Sequence, residues 1–215
     1  MKKLLIYAII IGGAYYFGSP LIADFMKPPG AFDAQGNPAV YLFVANNCGQ
    51  PCDQIEQHLR RKKVKYDKFD IANSEDARKK LKQYGGNNSL PYIVVGDGRT
   101  VGSNTKDLDS ILADAYGLKM LPPGQRRVVK THFTKAGDPR VVLYGAEWCG
   151  YCDKTKEYMD KKGISYTEYD VEKSDKAMLY FNTLEGQGYP LVYVGSRRIG
   201  GYNISALQNA VDELM

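Results

Sequence analysis

What most restricts the fold of this 215-residue chain is that one unit occurs in it twice. Val40-Tyr41-Leu42-Phe43-Val44-Ala45-Asn46-Asn47-Cys48 lies without a gap beside Val141-Val142-Leu143-Tyr144-Gly145-Ala146-Glu147-Trp148-Cys149. The lead-in matches as well, Gly36-Asn37-Pro38 beside Gly137-Asp138-Pro139. Further on, Leu90-Pro91-Tyr92-Ile93-Val94-Val95-Gly96 parallels Tyr189-Pro190-Leu191-Val192-Tyr193-Val194-Gly195, and Gly102-Ser103-Asn104 parallels Gly201-Tyr202-Asn203. The offset falls by one twice, so the first copy carries one extra residue between its cysteines and another before Pro91. Self-similarity of this kind outranks any single motif, because whatever one copy folds into, the other must fold into too.

Each copy reads strand, helix, strand, helix, strand, strand, helix. In the second copy the strands are expected at about 140–145, 164–170, 190–195 and 197–200, and the helices at about 150–162, 174–185 and 203–214. Gly163 stops the first helix and Ser174 can cap the second; in the first copy Asn73 or Ser74 caps Ala77–Tyr84, which Gly85-Gly86 ends. Strand-helix-strand alternation implies a parallel pair, and the closing hairpin adds antiparallel strands. The expectation is therefore an α/β chain with two tandem domains, each a four-stranded mixed sheet flanked by helices. The boundaries fall at 27–118 and 140–215, joined by a linker over 119–139 that holds Leu121-Pro122-Pro123-Gly124.

Ahead of these lies Met1-Lys2-Lys3, then Leu4 to Phe25 with Asp24 as its one charge. Residues 1–26 read as a signal anchor or a signal peptide. A helix over 4–25 would be about 30 Å long, enough to span a bilayer. No cleavage site with small residues at both key positions is evident, which favours the anchor, with a core helix of a soluble domain as the bland alternative. The Lys pair stays cytoplasmic, placing the rest in the periplasm, single-pass at a bacterial inner membrane. If the segment is cleaved, the protein is secreted to the periplasm. Net charge is +5, but Lys and Arg are scattered among Asp and Glu, so no nucleic-acid partner is expected. All four cysteines fall in two close pairs, which suits an oxidising compartment.

The second pair is Cys149-Gly150-Tyr151-Cys152, set between an apolar strand and a helical pattern. That context puts Cys149 at a helix N-terminus, where unpaired N–H groups and the positive dipole end stabilise a thiolate. Cys152 follows about one turn later, close enough to close a small disulfide. A structural disulfide or half of a zinc site are the plainer readings; zinc needs two more ligands, and the remaining candidates are Cys48, Cys52, His58 and His132. In the first pair, Cys48-Gly49-Gln50-Pro51-Cys52, the extra residue either widens the first helical turn or displaces Cys48 from the helix end. A lesser or different role is expected there: resolving cysteines, docking or scaffold. Trp148 is expected to pack beside the second pair or in the core, Glu147 to be a surface carboxylate, and His58 to lie on a solvated helix face.

With Cys149-Gly150-Tyr151-Cys152, Pro190 before a strand and Gly200-Gly201 after a hairpin, the chain resembles the glutaredoxin branch of the thioredoxin-like superfamily, twice over, across about 35–118 and 136–215. The resemblance implies a thiol-disulfide oxidoreductase in which Cys149 attacks and Cys152 resolves, with Cys48 and Cys52 as a second candidate pair. It makes Pro190 the cis-proline facing the disulfide and Pro91 its counterpart. Trp148, Tyr151, Tyr189, Gly200 and Gly201 complete the expected substrate site. It implies protein disulfides or thiols as partners, glutathione as an allowed co-substrate, and no cofactor or metal. Some positions depart from the family pattern: Gly188-Tyr189 precede the proline, Tyr202-Asn203 follow the Gly pair, and Trp148 and Gly150 look more like thioredoxin. Two rival readings are a membrane-tethered binding scaffold without turnover and a glutathione-dependent cytoplasmic glutaredoxin.

Overall fold

The computed structural model describes residues 27–214. The segment 1–26, with the expected anchor or signal peptide, lies outside the described residues. Among the described residues no helix is long and apolar enough to cross a membrane.

The first unit runs β1 (Val40–Val44), α1 (Gln50–Arg61), β2 (Asp67–Asp70), α2 (Glu75–Gln83), β3 (Tyr92–Val95), β4 (Gly98–Val101) and α3 (Thr105–Tyr116). A short helix, α4 (Pro123–Val129), follows between two 3-10 turns. The second unit runs β5 (Val141–Gly145), α5 (Gly150–Lys161), β6 (Tyr166–Asp170), α6 (Asp175–Thr183), β7 (Leu191–Val194), β8 (Arg197–Gly200) and α7 (Ile204–Leu214). Each sheet has four strands, in the orders β2-β1-β3-β4 and β6-β5-β7-β8. The first two strands of each pair in parallel (Tyr41 opposite Asp67, Val141 opposite Tyr166), and the rest are antiparallel. The central strands are the apolar ones: β3, β5 and β7 are buried at every residue, as strands covered on both faces must be. The polar sequence of β2, Asp-Lys-Phe-Asp, suits the sheet edge it occupies.

The helix ends follow the sequence cues. Ser74 Oγ accepts the Ala77 N–H at 3.1 Å, and Ser174 Oγ accepts the Ala177 N–H at 3.3 Å, each satisfying one orphan donor of a first turn. After the first helix of each unit the chain takes a left-handed turn, at Lys63 (φ 55°) in one copy and Gly163 (φ 67°) in the other. The duplication has preserved that backbone even where the residue is not the one that adopts it most cheaply.

The stretch 119–139, expected as a linker, is a packed layer instead. Pro122-Pro123-Gly124 does not break structure; Pro123 sits in the first turn of α4, where its missing N–H costs nothing. Leu121, Val128 and Val129 are buried in one cluster with Val142, Tyr144, Phe181 and Leu184 of the second unit. His132 is fully buried, its Nε2 2.8 Å from the Tyr144 hydroxyl and its Nδ1 3.3 Å from the Gly195 carbonyl oxygen. Burial without a carboxylate partner lowers its pKa to about 4. The repeat also begins earlier than its matching motifs indicate: Phe32 bridges Pro38 as Phe133 bridges Pro139.

Helix α3 belongs to both units. Leu108, Ile111 and Leu112 fill the first core, while Ala113 enters the cluster of the second. On the side facing β8, Ser110 Oγ accepts the Arg198 N–H at 2.9 Å, and Asp107 receives Arg198 Nη1 at 2.9 Å. Arg197 is held between Asp114 and Glu213. The edge strand β8 is thereby covered by the preceding unit, which removes an exposed ladder edge.

Candidate active site

Strand β5 ends at Gly145 and the chain turns through Ala146 to Cys149, whose N–H donates to the Ala146 carbonyl at 3.0 Å. Cys149 is the N-cap of α5, and its Sγ accepts the Cys152 N–H at 3.1 Å. The sulfur therefore already faces the donors that would stabilise its anion. Cys149 and Cys152 are joined in a disulfide with Cα atoms 5.2 Å apart. Cys152 is wholly buried and Cys149 is 5% exposed, so the outer cysteine is the less covered of the two. Gly145 makes room for the inner one: a Cβ there would lie 2.9 Å from Cys152 Sγ.

In the first unit the extra residue displaces Cys48 and leaves the helical turn unwidened. Gly49 takes the N-cap position of α1 with φ 60°, a left-handed conformation that favours glycine, and no side chain caps the helix. Cys48 stands one residue outside the cap, while Cys52 is buried at the third helical position, as Cys152 is. The Cys48–Cys52 disulfide closes with Cα atoms 5.7 Å apart.

The Leu90–Pro91 and Tyr189–Pro190 bonds are both cis. Tyr144 pairs with Leu191, so the register carries Pro190 to the level of Gly145, the last residue of β5, from which the chain turns to Cys149. The Gly201 N–H donates to the Pro190 carbonyl at 2.8 Å, as Gly102 does to Pro91 at 2.8 Å. Gly200 closes β8 next to them.

Two aromatic pairs stand at this site. Trp148 is 69% exposed, not buried in the core. Its Nε1 donates to Glu172 at 2.9 Å and its ring meets Tyr189 at 5.9 Å. Tyr151 stacks on Tyr202 with ring centroids 5.6 Å apart. Tyr202 and Glu172 were not singled out as site residues from sequence. The signal for Tyr202 was its place just after the Gly pair. For Glu172 it was the β5–β6 register, which sets Asp170 opposite Gly145. Glu147 is a surface carboxylate paired with Lys173 at 2.5 Å. His58 does not lie on a solvated face: its Nε2 is 2.6 Å from Asp109 Oδ1, and Lys62 meets Asp109 Oδ2 at 3.1 Å, tying α1 to α3. Among the described residues no group of three His, Cys, Asp or Glu is placed to hold a metal.

A family model described as Glutaredoxin matches residues 40–101 and 141–199, together more than half of the chain. This chain belongs to the glutaredoxin family. It is similar to a glutaredoxin of Pseudomonas aeruginosa, 27% identical over 74 residues, which make up 34% of this chain and 88% of that protein. It is also similar to an uncharacterized glutaredoxin-like 8.6 kDa protein encoded in the rubredoxin operon of Clostridium pasteurianum, 26% identical over 74 residues, 34% of this chain and 99% of that protein. Among solved structures, glutaredoxin C1 of Populus tremula x tremuloides matches at 18% identity and a TM-score of 0.36, covering 44% of this chain and 100% of that one. A buckwheat glutaredoxin–glutathione complex matches at 18% identity and a TM-score of 0.31, covering 43% and 86%. A glutaredoxin-like fold with cysteine pairs at helix starts fits a thiol-disulfide oxidoreductase.

Proposed function

We propose that this glutaredoxin-family chain exchanges disulfides with protein substrates through Cys149 and Cys152, with glutathione as an allowed co-substrate. The observation that carries the proposal is Cys149 at the N-cap of α5, its sulfur aligned on the Cys152 N–H. In the reduced protein the Cys149 thiolate attacks one sulfur of a substrate disulfide. That S–S bond breaks, the other substrate sulfur leaves as a thiolate, and a mixed disulfide forms on Cys149. Cys152 then attacks Cys149 Sγ and releases the second substrate sulfur. The substrate gains two electrons and two protons, and the protein is left as the Cys149–Cys152 disulfide. A thiol donor resets it; the same steps in reverse donate the disulfide.

Tyr151 and Gly150 lie between the sulfurs, and cis-Pro190 with Gly200 and Gly201 forms the opposite bank. In the first unit Pro91 holds the corresponding place, but Cys48 stands outside the helix cap. That displacement supports a lesser exchange role for Cys48 and Cys52, or a docking role for their unit. The basic start and the apolar run 4–25 support an anchor at a bacterial inner membrane with both units in the periplasm. Labelling by a membrane-impermeant thiol reagent on intact spheroplasts, after a membrane-impermeant reductant has opened the disulfides, is the expected result; protection until lysis contradicts that location. Reduction of insulin by the full chain tests the chemistry: Cys149→Ser abolishes it, and unchanged activity with Cys48 and Cys52 alone overturns the assignment.

A further inference from the structure

The second site carries four aromatic side chains that its internal duplicate lacks. Trp148 and Tyr151 flank Cys149 on the cysteine turn, while Tyr189 and Tyr202 come from the opposite bank, before cis-Pro190 and after Gly201. Trp148 meets Tyr189 and Tyr151 meets Tyr202, so the residue before Cys149 and the residue two after it each contact one aromatic of that bank. The bank is a single piece, because the Gly201 N–H is bonded to the Pro190 carbonyl. Aligned on the duplicate, the matching positions are Asn47 for Trp148, Leu90 for Tyr189 and Ser103 for Tyr202, and Gln50 and Pro51 occupy the place of Gly150 and Tyr151. Neither pair can form there. Because each copy has the same strand order and the same cis bond, the fold does not require these aromatics.

Their exposure is the second anomaly. Trp148, Tyr151 (58%) and Tyr202 (47%) are among the few large apolar side chains left open to solvent. They surround a sulfur that is itself almost covered, whereas Cys48 is more open. Apolar surface gathered around a reactive atom marks a binding surface, and Trp and Tyr offer large rigid area at low entropic cost.

Resting on the oxidoreductase reading above, we propose that these two pairs select the substrate: an extended polypeptide with apolar side chains on both sides of its disulfide-bonded cysteine. One flanking side chain packs on Trp148 and Tyr189, the other on Tyr151 and Tyr202, which brings the substrate sulfur to Cys149 between them. Glutathione, small and anionic, has no apolar side chain to fill either pair.

Two disulfide peptides of equal length test this with the full chain, one with Phe and Leu flanking its cysteines, the other with Ser and Gly. The apolar peptide is expected to have a kcat/KM about tenfold higher, a ratio two aromatic contacts can supply. The double variant Trp148→Asn, Tyr202→Ser brings the ratio close to one, chiefly through KM, while Tyr202→Phe keeps it. A wild-type ratio near one, a ratio unchanged in the double variant, or glutathione disulfide turned over as fast as the apolar peptide overturns the substrate assignment alone. Turnover of none of the three disulfides overturns the oxidoreductase reading and this proposal together.

Discussion

The two units share a strand order, a cis-proline, a buried inner cysteine at the third helical position and a serine cap on the second helix. At the cysteine turn they differ by one inserted residue. In the second unit the outer cysteine caps the helix itself; in the first, Gly49 occupies that cap and Cys48 hangs one residue before it. The fold absorbs this insertion because Gly49 adopts a positive φ and nothing crowds it. On the reading proposed above the chemistry does not absorb it, because helix-end stabilisation falls off within the first turn. A duplicated fold can thus hold two disulfides of similar span and place only one outer cysteine on a helix cap.

The largest difference expected between the units is in autonomy. Residues 27–118 contain their own core, whereas residues 140–215 lack α3 and α4. Burial of Leu121, Val128 and Val129 contributes roughly 1.5–3 kcal/mol apiece, so the 140–215 fragment is expected to be unfolded by circular dichroism and 27–118 folded. A folded 140–215 would show that the α3–α4 layer is dispensable.

Next in size, Cys149→Ser should lower disulfide reduction about a thousandfold or more, and Cys48→Ser less than threefold, in the same insulin assay. Equal losses would erase the contrast.

Third is acid stability, where only the second unit carries a buried neutral imidazole. His132 titrates at about 4 in the fold and near 6.5 unfolded. Its contribution is complete above pH 6.5 and is lost as pH falls toward 4, on the order of 3 kcal/mol. Urea midpoints at pH 7.5 and 4.5 should show this fall, and His132→Phe, less stable at pH 7.5, should lose less between the two.

The smallest effect is the most pointed. Deleting Gly49 places Cys48 on the cap and should lower its thiol pKa, read from the pH dependence of its alkylation with Cys149 and Cys152 replaced by Ala. No change would mean that the cap position does not govern the thiol.

Much of this architecture was legible in the chain. Apolar runs fixed the central strands, Ser74 and Ser174 announced their helices, and strand-helix-strand alternation gave the mixed sheets, with the helix ends of the second unit within two residues. The failures have physical causes. Pro122-Pro123-Gly124 reads as linker punctuation, yet proline is welcome in a first helical turn and the apolar face behind it has a partner. Phe32 and Phe133 stand out in no pattern, because a lone aromatic among polar residues gives no periodic signal. His58 looked solvated because its partner, Asp109, is 51 residues away in sequence. Trp148 is exposed although Trp is usually buried, so average burial gives no guide to its orientation beside the cysteine pair. Whether Cys48 kept its cap was a question of backbone angle at Gly49, which spacing alone left open.

The most direct measurement is the thiol pKa of Cys149 against that of Cys48 in the reduced full chain, from alkylation rate against pH at each cysteine. The account predicts Cys149 well below the free-cysteine value of about 8.5, with Cys48 near it. A Cys149 that titrates like free cysteine, or no lower than Cys48, would contradict it.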